Sequence, residues 1–551
     1  MSETVSTSSS TTLDALVLGG GFGGMHMLYT LREKGLKVLA LEAGADVGGA
    51  WYWNRYPGAR CDVESLVYCY SFSPIIDAEW RWSEKYAAQP EISRYMRFVC
   101  DRLDLRKDIH FNSRLVKAVF DKASNLWTLT TENGDTYRAR HFVSSAGPIS
   151  APIWPNIPGR ESFRGEIYHS ALWPHEEPVY TGKRVGIIGT GSSGTQIIPL
   201  VAQQAKQLNV FVRTPNLHVP ARNRPLTDED YSAWEKIKVE TRQKLRTFEI
   251  VGSGDVFMDE DLFEIRHHPG GDFTPEQRRE ILERRWQHGG ATIPRAFADV
   301  LTNADINEEV SNFLRNKVSE AIKDPELAKI LTPTDIAYGT KRITVGTNYL
   351  ETFNRDNVNA FDVKANPIQR FTEKGLIVGD EEIELDMIIC ASGFDALTGA
   401  LTVIDIQGIG GKTIKEAWSA GSPTYLGLGV AGFPNLYLIG GPGSPSVLTN
   451  VVVPNEYQVE WISALIEYMK TNGYERVEAS AEAQQEWTQK VQDCIKGTIL
   501  EKSKSWYVGD NVPGKAHSIL AYAGGLDKYI SKLDKVAANG YEGFNFSQAK
   551  K

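Results

Sequence analysis

Two glycine-rich turns are the features of this sequence that most clearly point to chemistry. Their glycines follow the spacing Gly-x-Gly-x-x-Gly, and each turn stands after a short apolar run and before a helix-like stretch. Glycine permits a tight turn and lets backbone N–H groups approach a pyrophosphate at the N-terminus of the following helix. One such spacing is weak evidence, but two in this context predict two dinucleotide sites. The expected binding residues are Gly19, Gly21, Phe22 and Gly24 in the first turn, and Gly189, Thr190, Gly191, Ser192, Ser193, Gly194 and Gln196 in the second.

The residue that closes the second strand of each unit indicates which dinucleotide binds. In the first unit this residue is Glu42, 18 positions after Gly24. A carboxylate there accepts hydrogen bonds from a ribose diol and repels a 2′-phosphate, which suits FAD or NAD. In the second unit it is Arg213, 19 positions after Gly194, with the hydroxyl of Thr214 beside it. A guanidinium suits the 2′-phosphate of NADP, although a solvated charge at a strand end is the alternative for Arg213.

Two dinucleotides in one chain imply electron transfer between them. NADPH donates a hydride, and a flavin can accept that hydride and then react with oxygen. We therefore expect FAD in the first site and NADPH or NADP⁺ in the second, in an NADPH-consuming flavin-dependent oxidoreductase.

The elements that position these turns predict an α/β protein. Each turn lies in a strand–helix–strand unit, which gives two Rossmann-like dinucleotide-binding domains, and charged helical sequence forms an insertion in the second of them. The apolar strand Met387–Ala391 is similar to Phe142–Ala146, so we expect it to return the chain to the first domain. The predicted domains are an FAD-binding domain over 13–150 and 385–545, a linker and NADP-binding domain over 151–220 and 336–384, and a helical insertion over 221–335.

Composition and charge argue against several other classes of function. The net charge of −9 weighs against nonspecific nucleic-acid binding, and without a run of 18 apolar residues we expect no membrane partner. The five cysteines form no Cys-x-x-Cys pair and the ten histidines no His-x-x-x-His pattern, so we expect no metal site.

The Ser- and Thr-rich stretch Met1–Thr12 predicts a flexible tail and not a signal peptide. Together with the sparse cysteines, it indicates a cytoplasmic location.

Two longer motifs carry a resemblance to a known family. The stretch Phe163–Pro174 matches FxGxxxHxxxWP, and Gly49–Asp62 matches GxWxxxxYPGxxxD. Shorter similarities occur at Gly339–Arg342 and Ser505–Gly514. From about residue 14 to 544 the chain resembles the type I Baeyer–Villiger monooxygenases, and looks closest to the phenylacetone and steroid monooxygenase branch. One departure is His175, because many members carry Asp or Gly after Trp-Pro.

The resemblance implies a reaction. In this family, reduced FAD combines with oxygen to form a C4a-peroxyflavin, which attacks a ketone carbonyl to give a tetrahedral adduct. Rearrangement of the adduct yields an ester or lactone. The implied partners are therefore a small-molecule ketone and O₂, and no obligatory protein partner is expected.

The resemblance also implies roles for individual residues. Arg342 matches the family's active-site arginine, which stabilises the peroxide anion and the adduct oxyanion, and Asp62 matches the carboxylate that orients it. Lys341 resembles a second contact to the 2′-phosphate, and Trp506 resembles the tryptophan of a loop that closes over NADP. His169 is expected to couple domain movements, with a catalytic role as the alternative. Further flavin contacts are expected from Trp51, Asp62 and Tyr68.

Two other functions remain open from the sequence. Heteroatom hydroxylases share two Rossmann units and a related motif, but they use a protonated peroxide and need no arginine beside it. A reductase that passes electrons to a partner protein is the second alternative, and its disulfide-reducing form is disfavoured by the missing Cys-x-x-Cys. The loop Pro442–Asn450 is expected, by resemblance, to line the substrate pocket, but the sequence does not identify the ketone.

Overall fold

The computed structural model describes residues 12–548, so the tail predicted for Met1–Thr12 lies outside the described residues except for Thr12. The described part is a mixed α/β protein with two sheets that are mainly parallel. Its α-helices are Phe22–Glu33, Ala50–Trp53, Pro74–Glu79, Gln89–Arg102, Ser192–Gln204, Asp228–Arg246, Glu260–Ile265, Pro275–His288, Ala304–Ala321, Pro325–Leu331, Tyr349–Thr352, Gly399–Thr402, Ile414–Ala417, Val452–Thr471, Ala481–Asp493 and Leu526–Ala538.

The first sheet is built around the strand Leu13–Leu18. This strand pairs in parallel with Val38–Leu41 on one side and with Thr136–Ser144 on the other. Its apolar side chains are buried because the sheet is covered on both faces. The predicted strand–helix–strand unit is therefore present, with Phe22–Glu33 as its helix. Across the sheet the strands run Asp405–Gln407, Leu115–Asp121, Leu126–Thr131, Thr136–Ser144, Leu13–Leu18, Val38–Leu41 and Ile109–His110, and Leu436–Leu438 also pairs with Thr136–Ser144.

The second sheet is parallel throughout the described residues and contains the second predicted unit. The strand Arg184–Ile188 leads into the helix Ser192–Gln204, and the chain returns as Gln207–Val212, which pairs with Arg184–Ile188. Its strands run in the order Val358–Asp362, Gln207–Val212, Arg184–Ile188, Met387–Cys390 and Glu166–His169.

The expectation that Met387–Ala391 belongs to the first domain is wrong. Met387–Cys390 lies inside the second sheet, between Arg184–Ile188 and Glu166–His169. The carboxylate of Asp386 accepts hydrogen bonds from the backbone and the guanidinium of Arg184, which fixes the strand there. A fully apolar run predicts an interior strand of a parallel sheet, but both sheets offer such a position. The chain rejoins the first sheet only at Asp405–Gln407 and Leu436–Leu438.

The segment predicted as a helical insertion is helical and has its own core. Thr274 caps the helix Pro275–His288: its hydroxyl accepts a hydrogen bond from the N–H of Gln277, whose side chain bonds back to the N–H of Thr274. Gly289 ends this helix with φ +79°. The helices pack around side chains such as Leu282 and Val310. Between residues 12 and 548, no helix has the length and apolar character needed to cross a membrane.

Three smaller sheets complete the described structure. The strand Thr344–Gly346 follows directly on Lys341 and Arg342 and pairs in parallel with His218–Pro220. This pairing fixes the two cationic residues at the end of a strand. The other small sheets are Ile368–Phe371 with Gly375–Val378 and Glu381–Glu384, and Tyr474–Ala479 with Phe544–Gln548.

Candidate active site

The two glycine-rich turns connect a central strand to a helix in each sheet. Gly19 and Gly189 have φ of +103° and +110°, values that favour glycine. A Cβ atom at Gly24 would lie 1.8 Å from the carbonyl oxygen of Gly19, and one at Gly194 would lie 2.2 Å from that of Gly189. These positions hold the helix against the strand. At Gly191, a Cβ would meet nothing within 4 Å, so this residue faces open space at the helix N-terminus.

The second turn presents polar groups to that space. Thr190 is buried, and its hydroxyl has no hydrogen-bond partner among the described residues. Because buried hydroxyl groups are nearly always paired, this one indicates a site for a bound acceptor. Ser192 is exposed and Ser193 is half-buried at the start of the same helix. The arrangement fits a phosphate group at a helix N-terminus.

Glu42 lies at the end of the strand Val38–Leu41 and is only 4% exposed. One of its carboxylate oxygens accepts the N–H of Gly20 and the other that of Gly44, both at 2.6 Å. Burial raises the pKa of Glu42 above its usual value, while the backbone N–H groups favour the ionised form. Each oxygen keeps a further lone pair, so the carboxylate can still accept a bond from a ribose hydroxyl.

Aromatic side chains lie next to the first turn. The rings of Phe22 and Tyr68 are 5.2 Å apart, and the indole N–H of Trp51 donates to the hydroxyl of Tyr68 at 3.0 Å. Burial raises the pKa of Tyr68 well above its usual value, so the phenol remains protonated. The sequence therefore identified three aromatic residues that are neighbours in the fold. Trp53, in the same motif as Trp51, is partly exposed, with Arg114 over its ring.

The structure brings two predicted phosphate-binding cations together. Arg213 and Thr214 are exposed just beyond the strand Gln207–Val212. The pKa of Lys341 is lowered, first by burial and then by the positive charge of Arg213. Like charges held close together disfavour each other unless an anion compensates them. The pair is therefore arranged as a site for a negatively charged group.

Gln196 connects the second nucleotide unit to the segment before Asp62. Its side-chain amide donates to the carbonyl oxygen of Arg60 at 2.9 Å, and its oxygen accepts the hydroxyl of Tyr56 at 3.0 Å. Gln196 thus joins the helix Ser192–Gln204 to the motif Gly49–Asp62, which the sequence associated with the first dinucleotide.

Arg342 and Asp62 form a bidentate ion pair. The Nε of Arg342 donates to Oδ2 of Asp62 at 2.9 Å, and Nη2 donates to Oδ1 at 2.8 Å. Nη1 donates to the carbonyl oxygen of Val447 at 2.9 Å. The charge of Asp62 raises the pKa of Arg342 above its ordinary value. Nη2 also donates to Oδ2 of Asp62 at 2.7 Å, so of the five N–H donors of the guanidinium the second N–H of Nη1 remains for a further acceptor.

The three members of this cluster come from separate parts of the chain. Asp62 follows Cys61, whose N–H binds the carbonyl oxygen of Ala87. Val447 lies in the loop Pro442–Asn450, which the sequence analysis expected to line the pocket. Sequence reasoning missed the role of Val447 because a backbone carbonyl leaves no side-chain signal. It also missed Tyr507, a buried phenol close enough to Arg342 and Asp62 for their charges to affect its pKa.

The geometry around His169 favours coupling over catalysis. Its Nδ1 accepts the N–H of Ala171 at 3.1 Å, so Nε2 carries the proton and donates to the carbonyl oxygen of Ile153 at 3.1 Å. The hydroxyl of Ser392 lies 3.2 Å from the same nitrogen. Burial lowers the pKa of His169, which keeps the ring neutral. The histidine thus holds the linker at Ile153 to the strand end at Ser392.

Trp506 lies in a short helical turn and is partly buried. Its ring is 4.4 Å from that of Tyr507. The side chain packs against the core without being enclosed by it.

Comparisons with known proteins establish the family. A model of the flavin-binding monooxygenase-like family matches residues 14–223. An acetone monooxygenase (methyl acetate-forming) from Gordonia sp. is 42% identical over 98% of this chain and 100% of that protein. A cyclohexanone 1,2-monooxygenase from Acinetobacter sp. is 40% identical over 97% of this chain and 96% of that protein. The chain belongs to the Baeyer–Villiger monooxygenase family.

Solved structures agree with this assignment. The structure of an oxidized steroid monooxygenase bound to NADP matches with a TM-score of 0.90 at 42% identity, and the match covers 98% of this chain and 100% of that one. The family also has a neighbour with different chemistry: a phenazine N-monooxygenase from Lysobacter antibioticus is 37% identical over 97% of this chain and 97% of that protein. Similarity alone therefore does not separate ketone oxygenation from nitrogen oxidation.

Proposed function

We propose that this member of the family uses FAD, NADPH and O₂ to convert ketones to esters or lactones, with Arg342 stabilising the negative charge that develops on oxygen. The observation that carries the proposal is the bidentate pair of Arg342 with Asp62, because it fixes a cation and leaves an N–H donor of Nη1 free. The small-molecule partners are then a ketone and O₂.

The residues of both glycine-rich turns fit the two cofactors. Gly19, Gly21, Phe22 and Gly24 would hold the pyrophosphate of FAD and Glu42 its ribose, with Trp51 and Tyr68 near the flavin. Open space at Gly191 and the unpaired hydroxyl of Thr190 fit the phosphates of NADPH. Arg213, Thr214 and Lys341 would hold its 2′-phosphate, and Ser192, Ser193, Gln196 and Trp506 would surround the rest. When bound, FAD supplies oxygen activation and NADPH supplies the hydride.

Arg342 supplies a charge that cannot be lost by deprotonation near neutral pH. Asp62 holds the guanidinium plane through two hydrogen bonds, and the carbonyl of Val447 restrains the opposite nitrogen. A cation fixed before reaction stabilises developing negative charge without reorganising during the step. Asp62 is therefore a positioning residue and Arg342 the stabilising one.

Heteroatom oxidation is the second candidate, because a named N-monooxygenase is among the relatives. That chemistry needs an electrophilic oxygen donor and no cation that stabilises an oxyanion. A fixed, partly unsatisfied guanidinium would then contribute little. The position of Arg342 therefore favours ketone oxygenation.

The direct test is product analysis. The FAD-loaded enzyme is supplied with NADPH and either a panel of cyclic, aryl and linear ketones or a matched panel of tertiary amines and sulfides. Oxygen uptake and products are followed together by mass spectrometry. The proposal expects esters or lactones with one added oxygen atom. N-oxides or sulfoxides as the main products, with ketones untouched, would contradict it.

A further inference from the structure

A second group of arginines lies in the helical insertion, away from Arg342. Arg285 projects from the helix Pro275–His288 and is only 1% exposed. Arg266 follows the helix Glu260–Ile265 and is 5% exposed. Arg295 lies beyond the turn at Thr292, with 27% of its side chain exposed. Burying three guanidinium groups is costly unless each is paired, so their environment requires an explanation.

The three side chains are near one another. Arg285 donates to the carbonyl oxygen of Thr292 at 3.0 Å, three positions before Arg295. It also donates to the carbonyl oxygen of Leu262, four positions before Arg266. Repulsion from Arg266 and Arg295 adds to burial in lowering the pKa of Arg285 to about 10. Burial and Arg295 lower that of Arg266 to about 10 as well, yet both remain charged at neutral pH.

Each arginine has a buried nitrogen that lacks a partner. Within residues 12–548, these unpaired atoms are Nε of Arg285, one terminal nitrogen of Arg266 and Nη1 of Arg295. The hydroxyls of Thr292 and Tyr86 are unpaired as well. The two side chains flank the same residue, because a Cβ atom at Gly254 would lie 3.1 Å from the hydroxyl of Tyr86 and 2.9 Å from the methyl carbon of Thr292. Five unpaired polar atoms in one region indicate a missing acceptor.

Among the described residues, no carboxylate lies within 4.0 Å of Arg266 or Arg285, the two most buried of the three cations. Asp255 is the buried carboxylate nearest to Arg295, at 4.0 Å from Nη1, and its oxygens already accept the N–H groups of Val251 and Gly252. Glu249 and Glu264 attract the arginines only from exposed positions. Glu64 and Lys85, which also face this region, offset each other's charge. A water molecule could satisfy the N–H donors but would leave these two buried guanidinium groups without a negative charge in contact.

We propose that Arg266, Arg285 and Arg295 bind a small oxyanion of the carboxylate or phosphate type. The planar forks of guanidinium groups suit such an ion, and Thr292 and Tyr86 can donate to it as well. The segment Gly252–Val256 also touches Glu64, two positions after Asp62. The anion is therefore either a free ion or the anionic end of a ketone substrate.

The binding experiment uses the FAD-loaded enzyme saturated with NADP⁺, so that the added phosphate cannot bind at Arg213 and Lys341. Inorganic phosphate is titrated at constant ionic strength while the melting temperature is followed. We expect a saturable rise for the wild type and a midpoint shifted about tenfold or more in Arg266→Gln, because one charge-assisted contact is lost. The matched control is Arg284→Gln, since Arg284 is paired with Asp261 on the surface and should leave the midpoint unchanged.

A second experiment tests whether the anion is a free ion or the anionic end of a ketone substrate. It assumes the proposed function. KM is measured for a methyl ketone that ends in a carboxylate and for its methyl ester. If the substrate supplies the anion, Arg266→Gln raises KM about tenfold for the acid and leaves it unchanged for the ester. If the anion is free, both KM values stay unchanged while phosphate binding is lost. Either result supports the site.

Two results would overturn the proposal. One is the absence of a saturable phosphate effect in the wild type together with an acid-to-ester KM ratio that Arg266→Gln does not change. The other is identical phosphate binding in the wild type and Arg266→Gln. In crystals of the wild-type holoenzyme, selenate located by its anomalous scattering should lie within hydrogen-bonding distance of Arg266 and Arg285. This measurement does not depend on a variant folding, and its failure would count against the site.

Discussion

At the scale of single residues, the two charged residues that close the nucleotide units are expected to set which dinucleotide each unit binds. Glu42 and Arg213 stand at equivalent strand ends but carry opposite charges. Glu42 is buried and bound to backbone N–H groups, whereas Arg213 is exposed and lies near Lys341. The sequence could predict this contrast because the residue type itself decides which ribose substituent is accepted.

Replacing Arg213 with Ala should reduce the preference for NADPH over NADH. Losing one charge-assisted contact costs roughly 1.5–3 kcal/mol, or about 10- to 150-fold in binding. Steady-state KM values for both nucleotides test this, with flavin content as the control, because the proposed FAD site lies in the other sheet. An unchanged NADPH-to-NADH preference would remove Arg213 from the 2′-phosphate site.

At the scale of elements, each strand–turn–helix unit contains two kinds of glycine. Some hold the helix against the strand, and others leave space for the dinucleotide. Gly191→Ala adds a methyl group to open space, whereas Gly194→Ala forces one against the carbonyl oxygen of Gly189. We expect Gly191→Ala to keep the wild-type melting temperature and to raise KM for NADPH tenfold or more. Gly194→Ala should lower the melting temperature itself. Equal effects of both variants on stability and KM would contradict this division.

The linker element gives a second prediction through His169. Because both ring nitrogens are engaged with the linker, His169→Ala should lower stability by about 1–3 kcal/mol through the unpaired groups left behind. The pH profile of ester formation should keep its shape, since no catalytic proton is lost. Thermal unfolding measures the loss of stability, and kcat measured over a pH series shows whether the profile keeps its shape. Disappearance of one limb of the profile would instead make His169 an acid or base.

The elements show which parts of the fold could be predicted from the sequence and which could not. Local rules predicted both nucleotide units, because turn glycines act within a few positions of the strand and helix that they join. The sheet membership of Met387–Cys390 could not be predicted, since its apolar pattern fits an interior strand of either sheet. Its place follows from pairing with Arg184–Ile188 and Glu166–His169, which are distant in the sequence. The carbonyl of Val447 and the buried arginines of the insertion depend on tertiary packing in the same way.

At the scale of the whole molecule, buried titratable groups link stability to pH with opposite signs. Burial lowers the pKa of His218 to about 3, so only the unfolded chain takes up its proton as pH falls below about 6.5, and stability is lost from there downward. Burial raises the pKa of Glu64 to about 7, so its contribution to stability is lost as pH rises from about 4.5 to 7.

Proton uptake on unfolding tests this balance. At pH 5.5, His218→Asn should reduce the uptake by about 0.9 proton relative to wild type, and Glu64→Gln should increase it by about 0.9. Calorimetry in buffers of different ionisation enthalpy measures both values. Changes of the same sign in the two variants would show that burial does not set these pKa values.

The active site itself is a property of the whole molecule. Arg342, Asp62 and Val447 are far apart in sequence and meet only when the segment after the insertion, the loop that contains Asp62 and the loop Pro442–Asn450 are packed together. The family resemblance indicated the Arg342–Asp62 pair in advance, but spacing alone could not. Its bidentate geometry came from the structure.

The most direct test of the account is rapid mixing of reduced Arg342→Ala enzyme with oxygen and ketone. The variant should fold, bind FAD and accept hydride, because Arg213 and Lys341 are unchanged. Ester formation should fall by about 10² to 10³, the cost of removing one preorganised donor, and Arg342→Lys should rescue it poorly because lysine lacks the planar fork. NADPH oxidation that continues without ester is the predicted result. Ester formation at the wild-type rate would contradict the central role of Arg342 and favour heteroatom oxidation.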